Sequence, residues 1–448
     1  MMERLLFGRA KGAAITRRAY FWNLVSSLLF SLQSAAFLLI VTRIGGEAQA
    51  GSFLILYTAA QTLNAIGTWN LREYQVSDLR EEFGFPTYYS ARWVTCLAMM
   101  AGAAGYGIIR GTEGDGFLIL MCLAGYRFTE DIEDVWHGAV QRAGRFDATS
   151  LAMSIRISVS SGCFAVVYAI TRSAGAASAA LFLGGLGCWA LLRIPFRKRY
   201  PELEPGFTGK GVGRLLWQGF PVFAGLFLYS YLINAPRYSL DAIRPPEDQA
   251  VFGVLFMPVF SINLLSAFLY RPKLVALTEA WETGDGSAFR RAALTQIGLI
   301  AGITAGIAGA GITIGWRILE WLYGIPLAAW RGTFGLLLLF GGVTAAAFYL
   351  NTLLTVMRKQ GYILAGYLTA LGVHLAATAA MITGQGIHGA ALAYGAIMGT
   401  LLFFDTAVVA IQVRRRQILS ANASAKRLQN RHPTQNDRRS QRRGGRDA

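Results

Sequence analysis

One segment carries an arrangement that an apolar chain would not hold without a reason. Residues 117–120 read Phe-Leu-Ile-Leu, and Arg127, Glu130, Asp131 and Asp134 follow. Their spacing of i, i+3, i+4 and i+7 puts all four on one face of a helix. Phe128, Ile132, Val135, Trp136 and Ala139 take the opposite face, and Glu133 falls off the stripe. A charge at the centre of a bilayer costs at least ~2.5–3.5 kcal/mol on insertion scales. The stripe is therefore expected to face a wet cavity or charged partners rather than lipid. Arg156, about two turns into the next apolar segment, is the expected partner of Asp134 or Asp131. A purely structural Arg127–Asp131 pair is the alternative reading.

Other polar groups inside apolar stretches are weaker candidates. Asn23, Gln33, Gln61, Asn64, Asn234, Asn351 and His374 each fit a helix-joining role. Asp405 is the best isolated candidate for a proton or sodium site, with Asp131 as the other candidate for ion coupling. Cys96, Cys122, Cys163 and Cys188 lack metal-ligand spacing and read as small buried hydrophobes. No metal or cofactor is expected. Gly184-Gly185-Leu186-Gly187 follows no strand and precedes no Lys-Ser/Thr, so it is not a nucleotide loop.

The elements that hold these residues are transmembrane helices. A span needs about 20 mostly apolar residues. Such stretches cover 20–43, 48–70, 88–109, 115–138, 150–172, 174–194, 216–238, 247–270, 290–316, 326–350, 361–383 and 387–413. Backbone at membrane depth must satisfy its own hydrogen bonds, and no alternating strand pattern is present, so all twelve are expected to be helices. Only 15% of the 448 residues are charged, and the mean hydropathy is +0.40, which leaves no room for a large soluble domain. The first span is too long for a signal h-region and reads as retained.

The net charge of +17 resembles a nucleic-acid signal until it is placed on this topology. Most cations then fall on the side of the two termini. Arg43, Arg110, Arg172, Arg237, Arg244, Arg317 and Arg331 fall on the other. Positive residues stay cytoplasmic, so both termini are expected inside and no nucleic-acid partner is expected. The basic tail 414–448 is expected to be disordered, with membrane lipid as a neighbour.

Two six-span halves are related by short echoes. Glu47-Ala48-Gln49-Ala50 opens span two, and Glu247-Asp248-Gln249-Ala250 opens span eight. Gln141-Arg142-Ala143-Gly144 and Arg358-Lys359-Gln360-Gly361 follow spans four and ten. Both halves start on the same side, so the repeat is parallel about an axis along the membrane normal. The expected architecture is all-α integral membrane: a bundle over 1–194, a linker over 195–215, a second bundle over 216–413 and the tail. Within the linker, Lys210 to Phe220 suits an interfacial helix. In span nine, Gly302, Gly306, Gly311 and Gly315 suit close helix packing.

On these residues the chain resembles the polysaccharide flippases (Wzx type) of the multidrug/oligosaccharidyl-lipid/polysaccharide exporter superfamily. The likeness rests on Asn23, Ser26 and Ser27, on Thr42-Arg43-Ile44-Gly45, on Gly51-Ser52-Phe53, and on Asn234-Ala235-Pro236-Arg237-Tyr238. It implies a V-shaped pair of six-helix bundles in the cell inner (cytoplasmic) membrane, and no enzyme. The bundles would enclose a polar cavity that flips a polyprenyl-diphosphate-linked oligosaccharide for lipopolysaccharide or exopolysaccharide synthesis, beside a polysaccharide polymerase and export machinery. By position, Arg43, Arg127, Arg156 and Arg237 would be the cavity cations, with Asn23 and Gln33 among its polar groups. Glu130, Asp131 and Asp134 depart from a cationic lumen. Two rivals remain: an ion-coupled drug or small-molecule exporter of the same fold, and a membrane glycosyltransferase or polymerase. The second would need a sizeable outside loop, and the largest offers only Asp241, Glu247 and Asp248.

Overall fold

The computed structural model describes residues 2–7, 13–78, 81–270 and 273–431. Among them every regular element is helical. The helices are α1 (Met2–Phe7), α2 (Ala13–Thr68), α3 (Leu71–Ser77), α4 (Phe85–Ile109), α5 (Gly114–Arg142), α6 (Phe146–Thr171) and α7 (Ala174–Arg199). They continue as α8 (Val212–Ile243), α9 (Pro246–Tyr270), α10 (Leu274–Thr283), α11 (Gly286–Ala310), α12 (Trp316–Tyr323), α13 (Arg331–Val356) and α14 (Gln360–Arg431).

Nine described helical stretches are long and apolar enough to cross a membrane. Two of these are double. Gly46, at φ 81°, turns the chain inside α2 and separates spans one and two. Gly386, at φ 54°, does the same between spans eleven and twelve inside α14. Both sit in the left-handed region that favours glycine. The remaining span is α5, which is long enough, but its charges keep it outside any purely apolar criterion. The protein is thus an all-α integral membrane protein of twelve spans. Large apolar side chains such as Ile109, Ile170 and Phe403 are exposed on its surface, as contact with hydrocarbon requires.

Contacts group the chain into two compact units. One is Met1–Pro258 with Gly309–Leu337 and Ala370–Ile397; the other is Val259–Ala308 with Leu338–Thr369 and Met398–Ala448. Inside the first, the face of α5 opposite its charges meets the core. Ile132 and Val135 pack with Tyr88 and Leu215, and Trp136 packs with Leu6, Phe7 and Phe196. The short α1 docks there too, with Phe7 edge-on to Phe196 at 5.5 Å. The echo residues behave alike at the start of spans two and eight. Ala50 and Ala250 are fully buried, Gln49 donates to the Arg172 carbonyl, and Gln249 donates to the Arg237 carbonyl.

Three local expectations change. The stretch Lys210–Phe220 is no separate interfacial helix: from Val212 it forms the first turns of α8, because nothing before Pro221 interrupts it. A side-chain carbon added at Gly302 or Gly306 would meet nothing within 4 Å, so these glycines do not mark a close helix crossing, and Gly311–Gly315 forms a π-helical turn. The tail expected to be disordered from Arg414 continues as helix through Arg431, since its Arg, Gln, Leu and Ala residues propagate the helix they follow. Residues 432–448 lie outside the described residues.

Candidate functional site

The charged stripe of α5 is divided between two kinds of partner. Asp134 accepts from Arg72 Nη1 at 2.8 Å and from Arg92 Nη2 at 3.0 Å. Arg92 is fully buried, and its Nη1 donates to the carbonyls of Gly67 and Thr68, at 2.8 and 2.7 Å. Asp134 therefore ties α5 to α3 and α4, and through Arg92 to the end of α2. One turn earlier, Glu130 accepts from Arg127 Nη1 at 2.5 Å, and Arg127 also donates to the Tyr57 hydroxyl at 3.2 Å.

Arg156 departs from expectation. It pairs with neither Asp134 nor Asp131. Its guanidinium lies 3.5 Å from Glu130 and 3.5 Å from Glu133, and it donates to the Tyr126 carbonyl at 2.7 Å and the Thr129 hydroxyl at 2.9 Å. The helical register explains this: α6 approaches the flank of α5 that carries Thr129 and Glu133, one side of the stripe. Likewise Arg127 pairs with Glu130 and not with Asp131. Asp131 forms no ion pair among the described residues, and its Oδ2 is buried without a hydrogen bond. It reaches this position because Gly67 has no side chain: a carbon added there would meet that oxygen at 2.1 Å.

These groups surround a cavity of about 370 Å³, within the roughly 300–1,000 Å³ range of small-ligand sites. Of the residues singled out from sequence, Asn64, Glu130, Asp131, Asp134 and Arg156 line it. Arg127 is buried behind Glu130. Glu133, His137, Arg72 and Glu73 complete the polar wall. Several of these are short of partners: Asn64 Oδ1, Asp131 Oδ2, both Glu133 oxygens and Arg156 Nε make no hydrogen bond among the described residues. The wall is rich in acceptors, and carboxylates outnumber cations in it.

The other sequence candidates lie elsewhere. Gln33 is buried and joins three helices by donating to the Tyr126 hydroxyl at 3.2 Å and to Ser161 at 3.0 Å. Asn23 is exposed and only its carbonyl is engaged, by Ser26. Arg43 is exposed and donates to the Leu322 carbonyl at 2.7 Å. Arg237 is buried, stacks 4.7 Å over the Phe256 ring, and leaves Nε and Nη2 without a partner. Asp405 belongs to the second unit, where both of its oxygens are buried without a hydrogen bond. His374 bonds Thr378 at 3.0 Å and Tyr231 at 3.2 Å, a helix-joining role. The four cysteines are unpaired. No group of His, Cys, Asp and Glu among the described residues could hold a metal ion.

Toward the side opposite the termini, contacts inside the first unit join helices of the two sequence halves. Arg110 grips Asp241 with two bonds of 2.8 and 2.6 Å. Tyr238 donates to Thr62 at 2.7 Å, and Tyr323 donates to the Ala35 carbonyl at 3.3 Å.

No known family model and no curated protein sequence matches the chain. Its fold does match solved structures. One is an inward-facing multidrug resistance MATE family transporter of the MOP superfamily, with TM-score 0.63, 12% identity, and coverage of 94% of this chain and 98% of the other. A second is a MOP superfamily transporter from Pyrococcus furiosus described as having a binding pocket of reversed polarity, with TM-score 0.55, 12% identity, and coverage of 93% and 98%. A third is the eukaryotic MATE transporter AtDTX14, with TM-score 0.55, 13% identity, and coverage of 90% and 98%. At these identities the likeness establishes the fold, that of two six-helix bundles.

Proposed function

We propose that the chain is an alternating-access transporter that flips a polyprenyl-diphosphate-linked oligosaccharide across the cytoplasmic membrane, with both termini cytoplasmic. The halves 1–194 and 216–413 would be its moving bodies. The observation that carries this reading is the set of buried acceptors without a hydrogen bond beside one cavity: Asn64 Oδ1, Asp131 Oδ2 and the Glu133 oxygens, the last held only by ion-pair contacts of 3.5 Å to Arg156 and 3.6 Å to His137. Leaving buried polar atoms unpaired costs about 1–3 kcal/mol each, and a sugar headgroup brings the hydroxyl donors that would relieve it. The Arg156 Nε–H, which faces Glu133 at 3.5 Å without a hydrogen bond, would turn to a phosphate oxygen, a charge-assisted bond. The lipid tail would remain in the bilayer. Contacts such as Arg110–Asp241 would be the closed gate on the far side, to be broken when the cavity opens there.

Depletion of the protein tests the reading. A lipid-linked oligosaccharide should accumulate on the inner leaflet, and its absence would count against the substrate class. A second reading is favoured by one observation, the excess of Glu73, Glu130, Asp131, Glu133 and Asp134 over Arg72 and Arg156 in the cavity wall. That balance suits an exporter of cationic small molecules. Proteoliposomes that accumulate an organic cation and ignore lipid-linked sugar would select it.

A further inference from the structure

The second unit holds a cavity of its own, about 360 Å³, walled by the end of α9, by α10, by the start of α11 and by α13. It lies at the end of the helices where cations are concentrated. At its rim stand Lys273 and Arg291, both exposed, and neither forms an ion pair among the described residues. The neighbouring carboxylate, Asp285, is turned to the start of α11, where its Oδ1 accepts from the amides of Ser287 and Ala288. Deeper in the wall is Gln296, five residues and therefore about 8 Å further along α11 than Arg291. Its amide nitrogen and oxygen are both buried without a hydrogen bond. The Tyr349 hydroxyl is in the same state, its ring packed 5.2 Å from that of Tyr270. On the same helices Phe268, Leu269 and Leu294 are largely exposed, as a surface toward hydrocarbon.

We propose that this cavity binds the headgroup of an anionic glycerophospholipid. The order of groups along the helices carries the assignment. Two cations that form no ion pair among the described residues, Arg291 sharing only the longer-range field of Asp285, match a phosphodiester at the membrane interface. The unsatisfied amide and phenol one to two turns deeper match glycerol ester carbonyls and hydroxyls, which sit below the phosphate in a lipid. The exposed apolar side chains match the acyl chains. A free phosphate would meet only the rim and leave the deeper groups unpaired. The inference does not depend on what the protein transports.

The test uses the full chain purified in detergent, with native mass spectrometry as the readout. Dioleoyl phosphatidylglycerol is titrated against dioleoyl phosphatidylcholine, with inorganic phosphate as a competitor. Phosphatidylglycerol should bind selectively. The double variant Lys273→Gln/Arg291→Gln should weaken it roughly 10- to 30-fold, while Arg290→Gln, exposed but outside the wall, should not. Ala292→Phe, which fills the cavity from its exposed rim without touching a charge, should lower binding as well, and it keeps the test open if the double variant fails to fold. Equal binding of the two lipids, or affinity unchanged in both variants, would overturn the proposal. Displacement of the lipid by millimolar phosphate would overturn it in favour of a free-anion site.

Discussion

Asp131 and Asp134 are three residues apart on one helix face, and the structure gives them opposite expectations. Asp134 is held by Arg72 at 2.8 Å and by the fully buried Arg92 at 3.0 Å. Asp134→Ala would leave two guanidinium groups facing each other, one of them out of reach of water. Removing one partner of a buried pair costs about 3–5 kcal/mol. The Asp134 side chain is 17% exposed, so the lower end applies, about 3 kcal/mol. Asp131 has no ion pair to lose. Asp131→Asn keeps its shape, removes an uncompensated charge, and should stay within about 1 kcal/mol of the wild type. Thermal unfolding in detergent can be followed with a thiol-reactive dye, because Cys96, Cys122 and Cys188 are buried in the folded chain. If Asp131→Asn destabilised as much as Asp134→Ala, or if Asp134→Ala cost less than about 0.5 kcal/mol, the division into a structural and a free carboxylate would be wrong.

Three further outcomes follow from the same geometry. Gly67→Ala puts a carbon 2.1 Å from Asp131 Oδ2, so it should displace α5 or the carboxylate and abolish transport, whereas Gly105→Ala, with open space around it, should not. Arg110→Ala removes a partly exposed ion pair of the kind worth about 0.2–1 kcal/mol; water access to Thr62→Cys from the far side should rise up to about five-fold, and the swap Arg110→Asp/Asp241→Arg should restore the original access. Burial alone would raise the pKa of Asp78, but the Glu82 and Phe83 amides and the Tyr88 hydroxyl outweigh it and hold the carboxyl below its usual range. A folded pKa below the unfolded one, which is about 3.9, makes this stabilisation complete above the unfolded value and lost as pH falls through the folded one. Hydrogen exchange at the Glu82 and Phe83 amides should therefore accelerate in that acidic window, and Asp78→Asn should remove the pH dependence.

The spans were legible because apolar length is a property of contiguous residues, and the charged stripe because helical spacing puts Arg127, Glu130, Asp131 and Asp134 on one face. Partner choice was not legible. Arg72 and Arg92 fall among the many cations on the side of the termini, although four carboxylates within residues 130–134 against Arg127 and Arg156 signalled that more cations had to converge on α5. Glu133 was set aside as off the stripe, since a helical wheel has no knowledge of α6 approaching that flank. Which neighbours surround Arg43 and Arg237 is set by packing between segments that the sequence does not pair: Leu322 for one and Phe256 for the other.

The central claim is that the cavity beside α5 receives a substrate headgroup from the side of the termini. Asn64 lines that cavity with an unpartnered oxygen. In a chain whose four native cysteines are replaced by serine or alanine, Asn64→Cys should react with a membrane-impermeant thiol reagent added from the side of the termini. Purified lipid-linked oligosaccharide should slow that reaction at least several-fold. Labelling only by a lipid-soluble reagent, or aqueous labelling that the lipid-linked sugar leaves unchanged, would contradict the account.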